Sequence, residues 1–279
     1  MSWSHTSPPG WTSIDDRSGK PIPRVRGMSV GSRLRHRVHR ALGSGSVRQL
    51  GYKQYSEVRF WKGELRRYIE WYEGKVADVY GVPAPRPDLK EQQYGDLTRN
   101  AVATWLRTCD SRYPEHLRVD PDAFSGMRIL DIGCGPVPFA LGFKSCEVYA
   151  LDQLLPAYRE IGFPIDIYPP RLTWLVGRAE EIPAPAYSFD AIVSVNAIDH
   201  VDDLPAVARE ITRVLKPGGT IRIEAHYHDP TVVEPWKLDD AVMMRYFGHL
   251  QVRKLHERLV SWPGRARDER LVVWGNDEG

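Results

Sequence analysis

The sequence predicts an α/β protein, a mostly parallel sheet covered by helices and preceded by a helical region. Three observations carry that expectation. From Gly126 onward, short apolar runs alternate with helical stretches, the pattern of strands joined by crossover helices. Upstream, Val58, Trp61, Leu65, Tyr68 and Tyr72 recur instead at steps of three and four. A glycine-rich loop follows directly on the first apolar run of the alternating part. At 279 residues the chain can bury one large core, and its 42% hydrophobic and 27% charged content is ordinary for a globular protein.

Residues 1–50 are rich in Ser, Pro, Gly and Arg and are expected to form a basic, largely disordered arm, since little there could offset the entropy of ordering. Within the arm, "SRLRHRVHRAL" (Ser32–Leu42) is a weak basic helix candidate. Residues 51–125 are expected to be the helical region. Val58, Trp61, Leu65, Tyr68 and Tyr72 line one face of a helix predicted over Ser56–Tyr80, stopped by the prolines of "GVPAPRP". A second helix is predicted over Asp96–Cys109.

Residues 126–279 hold the alternating part. "MRILDIG", "EVYAL", "RLTWLVG" and "DAIVSVN" read as four strands, Asp203–Leu215 as a helix, and "TIRIEAH" as a fifth strand after "LKPGG". "LQVRKLHERLV" and "ERLVVWG" read as a hairpin around "PGRARD", which makes seven strands in all. Between the fifth strand and the hairpin, "EPWKLDDAVMMRYFGH" reads as a helical insertion, a candidate lid over about residues 229–249.

Composition narrows the function classes. No apolar run approaches the roughly 18 residues of a membrane span, and "MSWSHTSPPGW" lacks the pattern of a secretory signal. Cys109, Cys134 and Cys146 have no metal-ligand spacing, so reduced thiols in a cytoplasmic setting are expected. The net charge is only +2, yet Arg17–Ser56 carries ten Lys or Arg residues and no acid. That run suits a polyanion or simply a solvated tail. No RNA-binding module is recognisable, and no nucleic-acid partner is expected.

"ILDIGCGPVPFA" (Ile129–Ala140) puts glycines where a backbone can approach a ligand closely. A dinucleotide fingerprint would need a third glycine, and Pro136 and Pro138 remove amides that could face phosphates. The second strand ends in Asp152, a carboxylate suited to the two hydroxyls of a ribose. Taken together, "LDIGCG", the acid of "ALDQL", "AEEIPAPAYSFDAIVSVNAIDHV" and "LKPGG" lie in register over about Gly126–Ala225. This stretch resembles the class I S-adenosylmethionine-dependent methyltransferases, which implies a Rossmann-like fold and S-adenosylmethionine as cofactor.

By that resemblance, Gly133, Cys134 and Gly135 border the methionyl part, with Asp131 near its amino group. Asp152 holds the ribose, Gln153 and Leu154 lie against the adenine, Ala179 and Glu180 contact its edge, and Asn196 lies beneath the methionine. Arg178 departs from the pattern, because many relatives have an acid there. Cys134 reads as a small packing residue rather than a nucleophile.

Asp199 and His200 follow the fourth strand, and His226, His228 and Asp229 mark the end of the fifth. Ligands of open parallel sheets bind beyond these carboxyl ends. His200, or a histidine of the "HYH" tip, is therefore the expected general base, with Asp199 orienting it; simple packing of His200 is an equal alternative. Asp199 with His226 or Asp229 also suits Mg²⁺ or Mn²⁺. A narrower resemblance, carried by "NAIDH" and "EVRFW", is to O-methyltransferases of bacterial polysaccharide and glycan pathways, implying a sugar or oligosaccharide acceptor. Nine Trp and thirteen Tyr residues suit sugar rings, Trp236 and Tyr246 of the insertion among them. The alternatives are a small-molecule N- or O-methyltransferase and a non-catalytic cofactor-binding subunit.

Overall fold

The computed structural model describes residues 50–260 and 269–276. The basic arm, its candidate helix and the "PGRARD" turn lie outside them. Helix α1 (Tyr52–Glu73) is buried along Val58, Trp61, Leu65, Tyr68 and Tyr72, as their spacing predicts. It ends earlier than expected. Gly74 takes φ 78°, and the Gly74 and Lys75 amides donate to the carbonyls of Trp71 and Glu70. This left-handed C-cap closes the helix before the prolines are reached. A short ribbon of β1 (Asp78–Val79) and β2 (Val82–Pro83) fills the stretch beyond. Helix α2 (Leu97–Thr108) is N-capped by Asp96, which accepts from the Arg99 amide at 2.9 Å. A short α3 (Arg112–Leu117) follows.

The seven-stranded sheet contains β3 (Arg128–Ile132), β4 (Glu147–Leu151), β5 (Leu172–Leu175), β6 (Phe189–Val195), β7 (Leu215–Tyr227), β8 (Arg253–Val260) and β9 (Glu269–Gly275). Its order is β5-β4-β3-β6-β7-β9-β8; β3 to β7 pair in parallel, and β9 runs antiparallel to both its neighbours. This is the Rossmann-like arrangement expected. The order reverses between β3 and β6, so the carboxyl ends of these two strands flank a crevice. Helix α4 (Leu155–Glu160) follows β4, and α5 (Leu204–Val214) joins β6 to β7, N-capped by Asp203 on the Ala206 amide. No α-helix follows the glycine loop. A short 3-10 turn, Phe139–Gly142, stands there, preceded by Pro136 and Pro138.

Alternation along each strand divides the core. Ile129, Ala191 and Val193 face α1, α2 and the aromatic residues between them. Leu130, Ile192, Ile221 and Ile223 face α5 and α6 (Asp240–Phe247). On the first face Trp105 stacks on Tyr68 at 4.6 Å and meets Trp71 edge-on at 5.1 Å, each such pair contributing about 0.5–1.5 kcal/mol beyond its area. These aromatic residues thus hold the two N-terminal helices to each other. The insertion is less helical than expected, because its α-helix covers only Asp240–Phe247. Trp236 and Tyr246 pack against each other at 6.3 Å and onto the second core cluster. Among the described residues, no helix is long and apolar enough to cross a membrane.

Candidate active site

Two cavities open at the switch between β3 and β6. The smaller, about 130 Å³, lies between the tips of β3, β4 and β6 and is lined by Gln153, Leu154, Ala179 and Glu180. The larger, about 370 Å³, is roofed by α1 and α3 and floored by Gly133–Gly135 and the end of β7. Glu57, Gly133, Asp152, Asn196 and His200 line both.

The loop between them is built on close approach. Gly133 has φ 72°, and a Cβ there would meet that of Ala197 at 2.4 Å. A Cβ on Gly135 would meet the Trp61 indole at 2.7 Å. Trp61 is held in turn by its indole N–H, which donates to Glu57 at 2.8 Å. Asp152 accepts from the Gly135 amide at 3.0 Å and the Leu154 amide at 2.7 Å, which leaves lone pairs on both oxygens. Burial pushes its carboxyl up to about 7 against the pull of those two amides, with Glu57 adding to the rise.

Asp131 is fully buried and lines neither cavity. It sits behind the loop rather than in it. The Tyr113 hydroxyl is its near polar neighbour, without forming a well-aligned hydrogen bond to either oxygen. Burial, and then the Asp152 charge, hold its carboxyl well above the usual range, opposed by the Tyr113 hydroxyl. Asn196 adopts φ 51°, a left-handed conformation that asparagine tolerates better than most residues. Its Oδ1 is without a partner among the described residues. Buried acceptors beside a glycine cradle fit a ligand that brings an ammonium group and hydroxyls, which S-adenosylmethionine does. Glu180 is less available than expected. It is bound by Arg178 at 3.0 Å and by the Asp202 amide at 2.8 Å, so the residue that breaks the family pattern ties down its neighbour. Cys134 is buried, with its thiol pushed well up by burial.

The expected histidines and acids converge, and of the two arrangements left open Asp199 takes the one with a histidine of the "HYH" tip. Asp199, fully buried in the 3-10 turn after β6, lies 3.1 Å from His228 Nε2; it does not hydrogen-bond His200. Burial opposes its charge, yet the imidazoles of His200, His228 and His226 together hold its carboxyl below the ordinary value. His226 is held below its usual value by burial. For His228, burial is outweighed by Asp199, by the Asp229 carbonyl and by the Glu234 charge, and its value rises to about 9. His200 is the histidine that lines both cavities, and its Nε2 stands 3.9 Å from Glu234 Oε1. The carboxylate of Asp229 points outward to Lys237 at 2.8 Å. Its place near the histidines is taken by Glu234, which together with Asp199, His226 and His228 presents possible donor atoms within 4.8 Å of one another.

Several site residues escaped sequence reasoning. Glu57 arrives from α1, beside the Trp61 already singled out by its spacing, Tyr113 and His116 from α3, Glu234 from the insertion and Arg258 from β8. Glu224, 1% exposed, pairs with His116 at 3.0 Å and Arg258 at 3.0 Å. Burial raises its carboxyl, but these two partners bring it below the ordinary value. The signal for this group was a lone acid inside an apolar strand, "IRIEAH".

Residues 130–223 match a family described as "Methyltransferase domain". The biotin biosynthesis bifunctional protein BioHC of Cellvibrio japonicus is 33% identical over 150 residues, 52% of this chain and 29% of that one. A ubiquinone biosynthesis O-methyltransferase of Xylella fastidiosa is 33% identical over 108 residues, 36% of this chain and 42% of that one. The chain thus spans less than half the length of these curated relatives. Among solved structures, the arsenic (III) S-adenosylmethionine methyltransferase of Chlamydomonas reinhardtii aligns over 61% of this chain and 71% of that one, with 19% identity and a TM-score of 0.46. Residues 130–223, from β3 into β7, thus match the methyltransferase-domain family.

Proposed function

We propose that this domain makes the protein an S-adenosylmethionine-dependent O-methyltransferase acting on a hydroxyl of a sugar or short oligosaccharide. The observation that carries the proposal is the junction of the two cavities at Gly133, Asp152, Asn196 and His200, which lets a donor and an acceptor meet end to end. S-adenosylmethionine supplies a methyl group on an excellent sulfonium leaving group. The adenine takes the smaller cavity, between Gln153 and Leu154 on one side and the Ala179–Glu180 backbone on the other. Asp152 accepts from the ribose with its remaining lone pairs. Gly133, Cys134 and Gly135 border the methionyl chain, with Asn196 beneath it. An arriving ammonium group favours the charged form of Asp131 and offsets the burial that raises its carboxyl.

His200 is the general base. It stands at the junction and takes the acceptor proton, a contribution of about 10²–10⁴-fold. Alignment of the two reactants contributes about 7–11 kcal/mol more. Asp199, His226 and His228 act behind it. The walls of the larger cavity support a sugar: Trp61, Tyr80 and Phe139 offer ring faces, while Arg112, His116 and Arg258 offer polar partners. About 370 Å³ suits one or two rings, so a longer glycan would enter by its end. That some relatives are O-methyltransferases favours oxygen as the acceptor atom. The same aromatic walls also suit a flat small-molecule acceptor, the second reading.

Calorimetric titration with S-adenosylhomocysteine, followed by methyl-labelled cofactor and a panel of sugars and phenols, tests this. One-to-one binding and label on a sugar are expected. Absence of binding refutes the cofactor assignment, binding without transfer to any acceptor favours a non-catalytic subunit, and label on phenols alone refutes the sugar.

A further inference from the structure

Behind His200 the chain gathers more acceptor atoms than proton transfer needs. His228 Nδ1 lies 2.7 Å from the Asp229 carbonyl oxygen, a contact that only a protonated Nδ1 can make as a donor. At Nε2 the ring carries either the proton that Asp199 favours or, where a cation displaces that proton, a lone pair. That nitrogen faces Asp199 Oδ2 at 3.1 Å and Glu234 Oε2 at 4.0 Å. Asp199 is fully buried, and its Oδ1 has no hydrogen-bond partner among the described residues. A ring nitrogen of His226 completes the group, and the two imidazoles lie 4.6 Å apart. Two carboxylates and two imidazoles thus converge where there is little water to keep them apart.

The surroundings resemble the outer support of metal ligands. A ligating histidine usually gives its other ring N–H to a carbonyl or carboxylate, which fixes the tautomer and orients the ring. His228 has the Asp229 carbonyl for this purpose, and His226 has Glu269 within 2.9 Å. Glu234 is steadied by the Thr231 hydroxyl, which donates to Oε2 at 2.8 Å.

We propose that Asp199, His226, His228 and Glu234 bind one divalent transition-metal ion of the manganese, iron, cobalt or zinc kind in the wall of the acceptor cavity. Imidazoles select such ions over Mg²⁺ or Ca²⁺, which prefer oxygen ligands alone. Ligands at about 2.1 Å on opposite sides of an ion stand about 4.2 Å apart. A donor set within 4.8 Å therefore closes on a six-coordinate ion with small side-chain movements. Four protein ligands leave two positions. His226 and Glu234 line the larger cavity while Asp199 and His228 lie behind it, so the open positions face the acceptor. Two adjacent oxygens of a diol could fill them; that use of the ion rests on the function proposed above, whereas its binding does not.

The full chain, stripped with EDTA, is titrated calorimetrically with Mn²⁺, Zn²⁺ and Mg²⁺ alone. One-to-one binding of Mn²⁺ or Zn²⁺, at least tenfold tighter than Mg²⁺, is expected. Glu234→Gln, on a loop where folding is not at risk, should weaken it by about 10–100-fold, and Asp199→Asn by at least as much. No saturable binding to folded, stripped protein overturns the proposal, as does unchanged affinity in Glu234→Gln. In that case a proton on His228 accounts for the contact with Asp199. Titrating S-adenosylhomocysteine on the same samples separates the two ideas: lost cofactor binding refutes the enzyme assignment, and lost metal binding refutes only this site.

Discussion

Gly133→Ala tests how the crevice is built. The new Cβ would stand 2.4 Å from the Ala197 Cβ, against about 3.5–4.0 Å for a relaxed carbon contact. Both atoms are fixed to backbone, so neither can swing away. Holding alanine at φ 72° costs about 1–2 kcal/mol. Relieving the overlap costs about 1–3 kcal/mol by comparison with overpacked cores. The sum, about 2–5 kcal/mol, is a large part of the roughly 5–15 kcal/mol of a typical domain. Urea denaturation should show that loss, and a thermal scan a fall of about 5–15 °C. Affinity for S-adenosylhomocysteine should drop at least tenfold, since the tips of β3 and β6 must part. Ala197→Gly removes the partner atom and should restore the overlap share but not the dihedral share. The double-mutant cycle should therefore give a coupling of about 1–3 kcal/mol. A coupling within about 0.5 kcal/mol of zero, or Gly133→Ala as stable as the parent, refutes this account of the loop.

His200→Ala should lower kcat by about 10²–10⁴-fold with cofactor affinity retained; full turnover removes it as base. Asp152, raised to about 7 in the free protein, disfavours its own charged state, so the stability it contributes falls as pH rises from its unfolded value toward 7. Ribose hydroxyls favour the carboxylate, so affinity for S-adenosylhomocysteine should increase from pH 6 to 8, and calorimetry on Asp152→Asn should find that slope gone. Glu224→Gln breaks a buried ion pair and should cost about 3–5 kcal/mol in urea unfolding at pH 7. Because the folded Glu224 value is depressed, its stabilisation is complete above the unfolded value and is lost as pH falls through the folded one. The gap between parent and variant should therefore narrow in acid, and a constant gap counts against the pairing.

The strands of the parallel sheet were legible because each is a short apolar run with a turn signal at its end, and buried parallel strands need nothing more. "LKPGG" hid part of one. β7 begins at Leu215, because the Leu215 position already pairs with Phe189 across a register shift. The start of α2 was legible in Asp96, whose carboxylate does what its position suggests. The end of α1 was not, since prolines downstream drew attention away from the glycine that closes it. At the site, residues adjacent to strand ends were found, while the choice between His200 and the "HYH" tip as partner of Asp199 stayed open. Neighbours in sequence, Asp199 and His200, point to different partners, and the aspartate meets a histidine 29 positions away instead. Sequence adjacency brings two groups near one another without orienting one toward the other.

The N-terminal region illustrates the deeper limit. Its helical period says that Trp61 and Tyr68 share a buried face, but not what that face is buried against. Tyr68 goes to the aromatic stack with Trp105, whereas Trp61, seven residues earlier and on the same stripe, lies over Gly135. The indole can settle there only because the loop has no side chain at that position, and Glu57 fixes it from the preceding turn. A single helix thus supplies both core and cavity wall, and the glycine loop serves two neighbours at once, with Ala197 close to one of its glycines and Trp61 close to the other. Trp61→Ala should therefore act twice. It should destabilise the fold by about 3–5 kcal/mol, as truncations of large buried aromatics do, and it should enlarge the junction where Glu57 and Asp152 meet both cavities. If the urea midpoint falls while cofactor affinity per folded molecule stays unchanged, α1 is only a support; if both fall, it is part of the site.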